Sequence, residues 1–326
     1  MQAKICLFSL CFFLCAFTGH AQLAFEFSTS QRGPLLSPLQ YGIFYEEINH
    51  GGDGGLYAEL IRNRSFEDNA TAPDGWQALG NVKLDMVGTN LLNNAQSHAL
   101  KLTVNENLAG VCNQGFWGMN IVEGETYTLT FWAKTDGTFS GQMSAELQDE
   151  NEHNLGRTVF DINLTEEWQK YTIQLKATSS NTRGRFALRA LGHMVIYLDV
   201  VSLMPPTYKD RPNGCRRDLA EMLSMLHPTF VRFPGGCYIE GTWKDGKTNR
   251  FEWKKTIGPI EERPGHWNVN WGYRVSDGLG LHELLQLTED LGAEPLFVCN
   301  IGLGHGWMQD YQNLSSYIQE TLDLIE

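Results

Sequence analysis

The stretch LGLHELLQLTEDLGAEPLFVCNIG, residues 279–302, reads as a helix closed by Gly292 and followed at once by an apolar strand. The same alternation runs upstream. RRDLAEMLSML (216–226) has helical spacing, TFVRFPGG (229–236) is a buried-type strand entering a glycine turn, and YGIFYEEIN (41–49) is an earlier strand ending in acidic residues. Continuous apolar strands between helices indicate parallel βα units, because a strand covered on both faces has no polar side to alternate. Candidate polar groups cluster at or just beyond the C-terminal strand ends, where a (β/α)8 barrel places its chemistry. About three of the eight strands are visible, so the expectation is a partial TIM barrel.

Between the first and second of those strands the periodicity changes. LYAELIRNRSFED (56–68) begins with helical spacing. From Pro73 to Pro206 the chain is a series of short alternating runs, KLDMVG, HALKLTV, TYTLTFWAKT, GQMSAELQDE, WQKYTIQLKAT, RGRFALRAL and VIYLDVVSL, separated by Gly, Asn and Ser turns. Strands at that spacing without helices predict an antiparallel β-sandwich, jelly-roll-like, inserted into the barrel. The fold class is α/β plus all-β. The expected divisions are a signal peptide at 1–21, an N-terminal strand segment at 22–37 (LAFEFS), the first barrel strand and helix at 38–72, the inserted sandwich at 73–206 and the partial barrel at 207–326. The final helix, QNLSSYIQETLDLIE, has no Gly, Asn or Pro beyond its last turn, and the fold is expected to continue past Glu326.

Lys4, the apolar run Ile5–Phe17, and small residues Gly19 and Ala21 fit an export signal cleaved after Ala21. The run is too short for a membrane span, and the expected location is periplasmic or extracellular. A composition 42% hydrophobic and 19% charged excludes disorder. The net charge of −13, with no basic stripe, argues against nucleic acid as a partner. Once the leader is removed, Cys112, Cys215, Cys237 and Cys299 remain. Their scatter is compatible with one or two disulfides or with free thiols, and no His/Cys spacing suits a metal.

Four places carry candidate chemistry. Glu46 and Glu47 end the first strand, and a period of two points one toward the barrel axis and the other outward. A carboxylate in a sugar-sized cleft accepts hydroxyl hydrogen bonds or works as acid or base; otherwise it is a strand-end charge in water. Arg232 precedes Gly235 and Gly236, which allow close backbone approach, and Glu46 is its expected ion-pair partner. Asn300 ends a strand and serves either as a hydroxyl ligand or as a turn residue. The segment 251–278 holds Trp253, Trp267, Trp271 and Tyr273, aromatics suited to stacking on sugar rings at a cleft rim. In the sandwich, Trp76, Phe116, Trp117, Trp132 and Trp168 are candidate platforms, each with packing in the core as its alternative. GLGHG (302–306) lacks the Lys-Ser/Thr of a phosphate loop.

Taken together, YGIFYEEINHGGDGGLYAELIRNRSFE, FVRFPGGCYIEG, WKKTIGPIEERPGHWN and SDGLGLHELLQLTEDLGAEPLFVCNIG resemble the exported α-L-arabinofuranosidases of glycoside hydrolase family fifty-one. The β-block resembles, through GFWGMNIVEGETYTLTFWAKT and IYLDVVSL, the carbohydrate-binding-module-like sandwich inserted in one branch of that family. The resemblance implies a retaining glycosidase, needing no cofactor, that removes terminal arabinofuranose from arabinan or arabinoxylan. It implies that Glu46 binds the sugar and that Cys237 stands where many relatives place an Asn sugar ligand. It also implies that Arg232 supports the site. The acid/base Glu of an Asn-Glu pair and the nucleophile Glu would both lie beyond Glu326, so no catalytic residue is assigned and this chain alone is expected to be inactive. Asn105-Glu106 and Asn151-Glu152 fall in the sandwich and are not that dyad. The rival readings are a non-catalytic carbohydrate-binding protein acting through 73–206 and a different barrel glycosidase.

Overall fold

The computed structural model of the chain describes residues 25–30, 32–244, 247–305, 308–309 and 314–326. The expected signal peptide at 1–21 lies outside the described residues. The chain divides into two units, Met1–Ser37 and Pro38–Glu326. In the first, Phe25 and Phe27 are exposed and residues 25–28 form no strand, contrary to the reading of LAFEFS. Alternation alone does not make a strand; a ladder partner does.

The second unit begins with β1 (Ile43–Phe44) and then builds the sandwich. Its strands are β2 (Trp76–Leu79), β3 (Val82–Val87), β4 (Ala99–Val104), β5 (Gly110–Asn113), β6 (Met119–Ile121), β7 (Thr126–Lys134), β8 (Phe139–Gln148), β9 (Asn154–Leu164), β10 (Gln169–Lys176), β11 (Asn181–Ala190) and β12 (Met194–Met204). They pair as a five-stranded sheet, β10-β7-β12-β4-β3, and a six-stranded sheet, β2-β5-β11-β8-β9 with β6 joined to β11. Every pairing is antiparallel. Alternate residues point inward, so Leu100, Leu102, Leu129 and Phe131 of one sheet meet Leu147, Phe186 and Leu188 of the other in a single core.

After the sandwich come α1 (Arg217–Met225), β13 (Phe230–Phe233), a helical turn α2 (Cys237–Glu240), and the hairpins β14–β15 (Trp243–Lys244, Lys247–Thr248) and β16–β17 (His266–Asn268, Tyr273–Val275). Then follow α3 (Leu281–Asp290), β18 (Glu294–Phe297) and α4 (Leu314–Ile325). The aromatic segment 251–278 thus holds two short helical turns, Trp253–Thr256 and Ile260–Glu262, followed by the hairpin β16–β17. β1, β13 and β18 form a three-stranded parallel sheet in that order, the expected partial barrel. Leu281, Leu284 and Leu287 of α3 pack with Val231 and Phe233 of β13.

The helix expected at 56–68 is not formed. Gly54 at φ 84° turns the chain beneath Phe116, whose ring would lie 2.5 Å from an added Cβ. The backbone donors that a helix would use go elsewhere: Ala58 N–H donates to Gly214 O at 3.1 Å and Leu60 N–H to Leu203 O at 3.1 Å. Tertiary pairing overrides local spacing here.

A buried polar run joins the sandwich to the barrel layer. Glu59 accepts from Leu203 N–H at 2.9 Å, and its carboxylate lies 3.9 Å from Arg64. Arg64 donates to the Tyr57 hydroxyl at 2.7 Å, Tyr57 donates to Asn213, and Asn213 donates to Glu283 at 2.8 Å. Arg263 closes the run with a two-pronged pair on Glu283 at 2.8 and 3.0 Å, and its other donors reach Gly258, Asp277 and Gly278 carbonyls. Removing one member of a buried pair strands the other, so Arg263→Met is expected to cost about 3–5 kcal/mol. Urea denaturation of the variant against the native chain measures it.

Candidate active site

The C-terminal ends of β1 and β13 deliver the site residues. Glu46 leaves β1 partly buried, and one carboxylate oxygen accepts the Tyr238 N–H at 2.8 Å. Its second oxygen has no protein partner among the described residues. Gly235 sits at φ 130°, and a Cβ there would lie 2.5 Å from Glu46 Cγ, so only glycine allows the carboxylate this seat. Gly236 is different. Its φ is −117° with open space around it, and neither close approach nor backbone strain requires glycine.

Cys237 opens α2 beside Glu46, and burial and the Glu46 charge push its thiol upward, keeping it protonated. The four cysteines Cys112, Cys215, Cys237 and Cys299 are unbridged. Arg232 does not pair with Glu46 as expected. Its guanidinium lies 4.5 Å from the centre of the Phe44 ring, its lateral neighbour in the β1–β13 register. Tyr238 N–H takes the orienting role that had been given to the arginine.

Asn300 is also placed differently from the reading as a sugar ligand. Its amide donates to Ile239 O at 2.8 Å and Leu303 O at 3.1 Å, and its oxygen accepts from Gly302 and Leu303 N–H at 2.7 and 3.2 Å. An amide has two donors and two acceptor sites, and all are used by backbone. Asn300 therefore clamps the loop after β18 onto α2, which carries Cys237 and the Tyr238 amide.

The β16–β17 hairpin closes the same corner. Asn268 donates to Glu47 O at 2.9 Å and Asn270 to Cys237 O at 2.6 Å. These two bonds hold the hairpin against the segments that carry Glu47 and Cys237, and its Trp267 and Trp271 are 44% and 38% exposed. Trp76 instead is a core residue with its indole N–H on Asn63 O at 3.1 Å, and Trp117 stays 66% exposed. Trp132 and Trp168 are partly buried on the sandwich, beside Lys170 and Lys134.

Glu47 is the residue that sequence reasoning underweighted. It points opposite to Glu46, as period two requires, yet it is not in water. It accepts from Gly52 N–H at 2.6 Å, Tyr273 OH at 2.8 Å and Tyr45 OH at 3.0 Å. Burial, reinforced by buried Asp53 nearby, raises its carboxyl from 4.5 to about 8. Asp53 is itself raised by burial and is held by the Ser276 N–H and hydroxyl at 2.6 and 2.8 Å. His50 stacks on Tyr273 with ring centres 3.8 Å apart, and burial lowers its imidazole. Tyr45 and Tyr273, aromatic hydroxyls each next to a charged residue in sequence, were the available hint.

Two family models match the chain: an alpha-L-arabinofuranosidase 1 domain over residues 222–326 and a carbohydrate binding domain over 58–190. Alpha-L-arabinofuranosidase 1 of Arabidopsis thaliana is 35% identical over 303 residues, 88% of this chain and 44% of that protein. The extracellular exo-alpha-L-arabinofuranosidase of Streptomyces chartreusis is 35% identical over 332 residues, 95% of this chain and 39% of that protein. The chain thus spans less than half the length of these curated relatives. Among solved structures, an arabinose-bound α-L-arabinofuranosidase of glycoside hydrolase family 51 superposes with a TM-score of 0.81 at 35% identity, over 87% of this chain and 48% of that one.

The raised Glu47 carboxyl makes stability depend on pH. A folded-state value above the unfolded one binds the proton more tightly in the fold, so the contribution is complete below 4.5 and is lost as pH rises through about 8. Thermal unfolding across that window is expected to show a steeper fall in Tm for the native chain than for Glu47→Gln, which imitates the neutral acid. Equal slopes would contradict the assignment.

Proposed function

We propose that the chain is part of an α-L-arabinofuranosidase of glycoside hydrolase family fifty-one, and that it forms part of the cleft in which such an enzyme releases terminal α-L-arabinofuranosyl residues from arabinan or arabinoxylan. Glu46 carries the reading. One of its oxygens is anchored on a backbone amide and the other is open, which suits a carboxylate that accepts hydrogen bonds from sugar hydroxyls. Such bonds accelerate the reaction to the extent that they strengthen as the anomeric carbon gains charge. Cys237 offers a small, protonated thiol beside it, and Trp267 and Trp271 offer ring faces for the sugar.

In the proposed double displacement, a carboxylic acid protonates the glycosidic oxygen as the C–O bond breaks, and a second carboxylate bonds to the anomeric carbon. Water, deprotonated by the first group, then displaces that carboxylate and frees arabinose with retained configuration. Glu47 and Asp53 are not this pair, since both are buried and bonded within the protein. Neither reacting carboxylate is assigned to a residue of this chain. The similarity to an arabinose-bound relative supports this reading, and the S. chartreusis relative, named extracellular, supports export. Among the described residues no helix is long and apolar enough to cross a membrane.

Residues 22–326 alone are expected to leave p-nitrophenyl α-L-arabinofuranoside intact, and hydrolysis by that segment would overturn the placement of the reacting carboxylates. In a protein that adds the remaining barrel strands, Glu46→Gln is expected to lower kcat/KM by about tenfold to a hundredfold, the range for a hydrogen bond to a charged group. An unchanged kcat/KM would remove Glu46 from the sugar site.

A further inference from the structure

Away from the Glu46 corner, a cavity of about 610 Å³ opens at one end of the six-stranded sheet. Arg62, Arg183 and Arg185 line it together with Trp117, and Asp74 and Glu150 lie on the same wall. Three guanidinium groups around one cavity are unexpected in a chain of net charge −13. Arg185 is 8% exposed; its Nε donates to Gln148 at 3.0 Å, and its Nη2 lies 3.1 Å from the exposed Glu152 carboxylate without an aligned hydrogen bond. The guanidinium groups of Arg62 and Arg183 make no ion pair or hydrogen bond among the described residues. A buried cation with an unused donor, beside two unpaired ones, is the arrangement that receives an anion.

The rest of the outer sheet face does not compete for this role. Glu146 there is already paired with Arg157 and Arg189 at 3.3 and 3.4 Å, and its oxygens also accept from Ser144 and Gln148. The aromatic element is fixed in place: at Gly118, φ 94°, an added Cβ would lie 2.9 Å from Arg183 Cα, so the loop bearing Trp117 lies directly on β11. Trp117 meets His50 edge-on at 5.5 Å and keeps 66% of its surface exposed.

We propose that this cavity binds a carboxylate-bearing sugar unit, a uronosyl residue of a plant polysaccharide, with the guanidinium groups taking the carboxylate and Trp117 taking a ring face. A neutral sugar leaves the guanidinium groups of Arg62 and Arg183, unlike that of Arg185 beside Glu152, without a counter-charge in contact. A polyanion such as nucleic acid would meet Asp74, Glu150 and the acidic body of the protein. A single negative charge on a polyhydroxylated ring satisfies both halves of the wall, because carboxylates accept from hydroxyls. The inference goes beyond the arabinofuranosidase reading and needs no turnover.

Calorimetric titration of the whole chain tests it, using oligosaccharides ending in glucuronic acid, the same ending in galacturonic acid, a neutral xylo-oligosaccharide of equal length, and acetate alone. At least one acidic sugar is expected to bind about tenfold or more tightly than the neutral one, weakening as salt is raised. Whichever of the two acidic sugars binds more tightly identifies the source. Arg183→Gln and Trp117→Ala, both at exposed positions, are each expected to weaken that binding about tenfold. Equal affinity for the neutral oligosaccharide, equal affinity for acetate, or no binding of either acidic sugar would overturn the proposal. Because the readout is binding at this cavity, none of those results bears on Glu46, and loss of the Glu46 effect above would leave this cavity standing.

Discussion

The buried polar run from Glu59 through Arg64, Tyr57, Asn213 and Glu283 to Arg263 sets the geometry on which the rest depends. Burying charges is costly unless each meets its partner at good distance and angle, so such a run is compatible with few relative placements of the two layers it joins. A hydrophobic contact at the same junction would tolerate sliding. Surface pairs such as exposed Lys83 with half-exposed Asp85 impose no comparable constraint. Through Arg263, whose donors reach the Asp277 and Gly278 carbonyls, the run also sets where the chain leaves β17 and enters α3.

From that frame the site is assembled by asparagines rather than by ion pairs. Asn268, Asn270 and Asn300 each donate to the carbonyl of a neighbouring loop, binding the hairpin to Glu47, the hairpin to Cys237, and the β18 loop to α2. A carboxylate whose seat is fixed in advance by the fold spends less free energy on ordering when it takes a ligand. The arrangement explains why a substituent at Gly235 has no room and why one at Gly236 does. The first glycine lies on Glu46, whereas the second faces open space.

The barrel strands and the sandwich were legible because their periodicity is set by burial, and burial shapes sequence and structure alike. Strands β4, β7 and β12 follow their alternating runs closely. The expected helix at 56–68 failed because periodicity cannot register where backbone donors find partners, and those of Ala58 and Leu60 find them on distant segments. The position of Glu46 just past β1 was legible in the strand pattern. Its orienting partner was not, since a backbone amide leaves no residue-type signal, and the arginine nearest in sequence to the turn was the more visible choice. Asn300 illustrates the same limit: its residue type fits a ligand or a clamp, and only the four backbone groups around it decide.

The two sugar-compatible corners are connected by rings and hydroxyls rather than by a flexible linker. Glu47 accepts from Tyr273, Tyr273 stacks on His50, and His50 touches both Phe116 and Trp117. Phe116 in turn rests on Gly54, in the turn that follows β1. The inserted sandwich therefore does not hang from the barrel as an independent module; one of its loops is packed onto the strand end that carries Glu46. When two binding sites are rigidly spaced, a chain held at one is presented to the other at a high effective concentration, provided the polymer matches the spacing. A tethered module accepts many polymer geometries with a small advantage for each, whereas a packed one favours a single spacing. The spacing between these two corners is set by the stack of His50 between Tyr273 and Trp117.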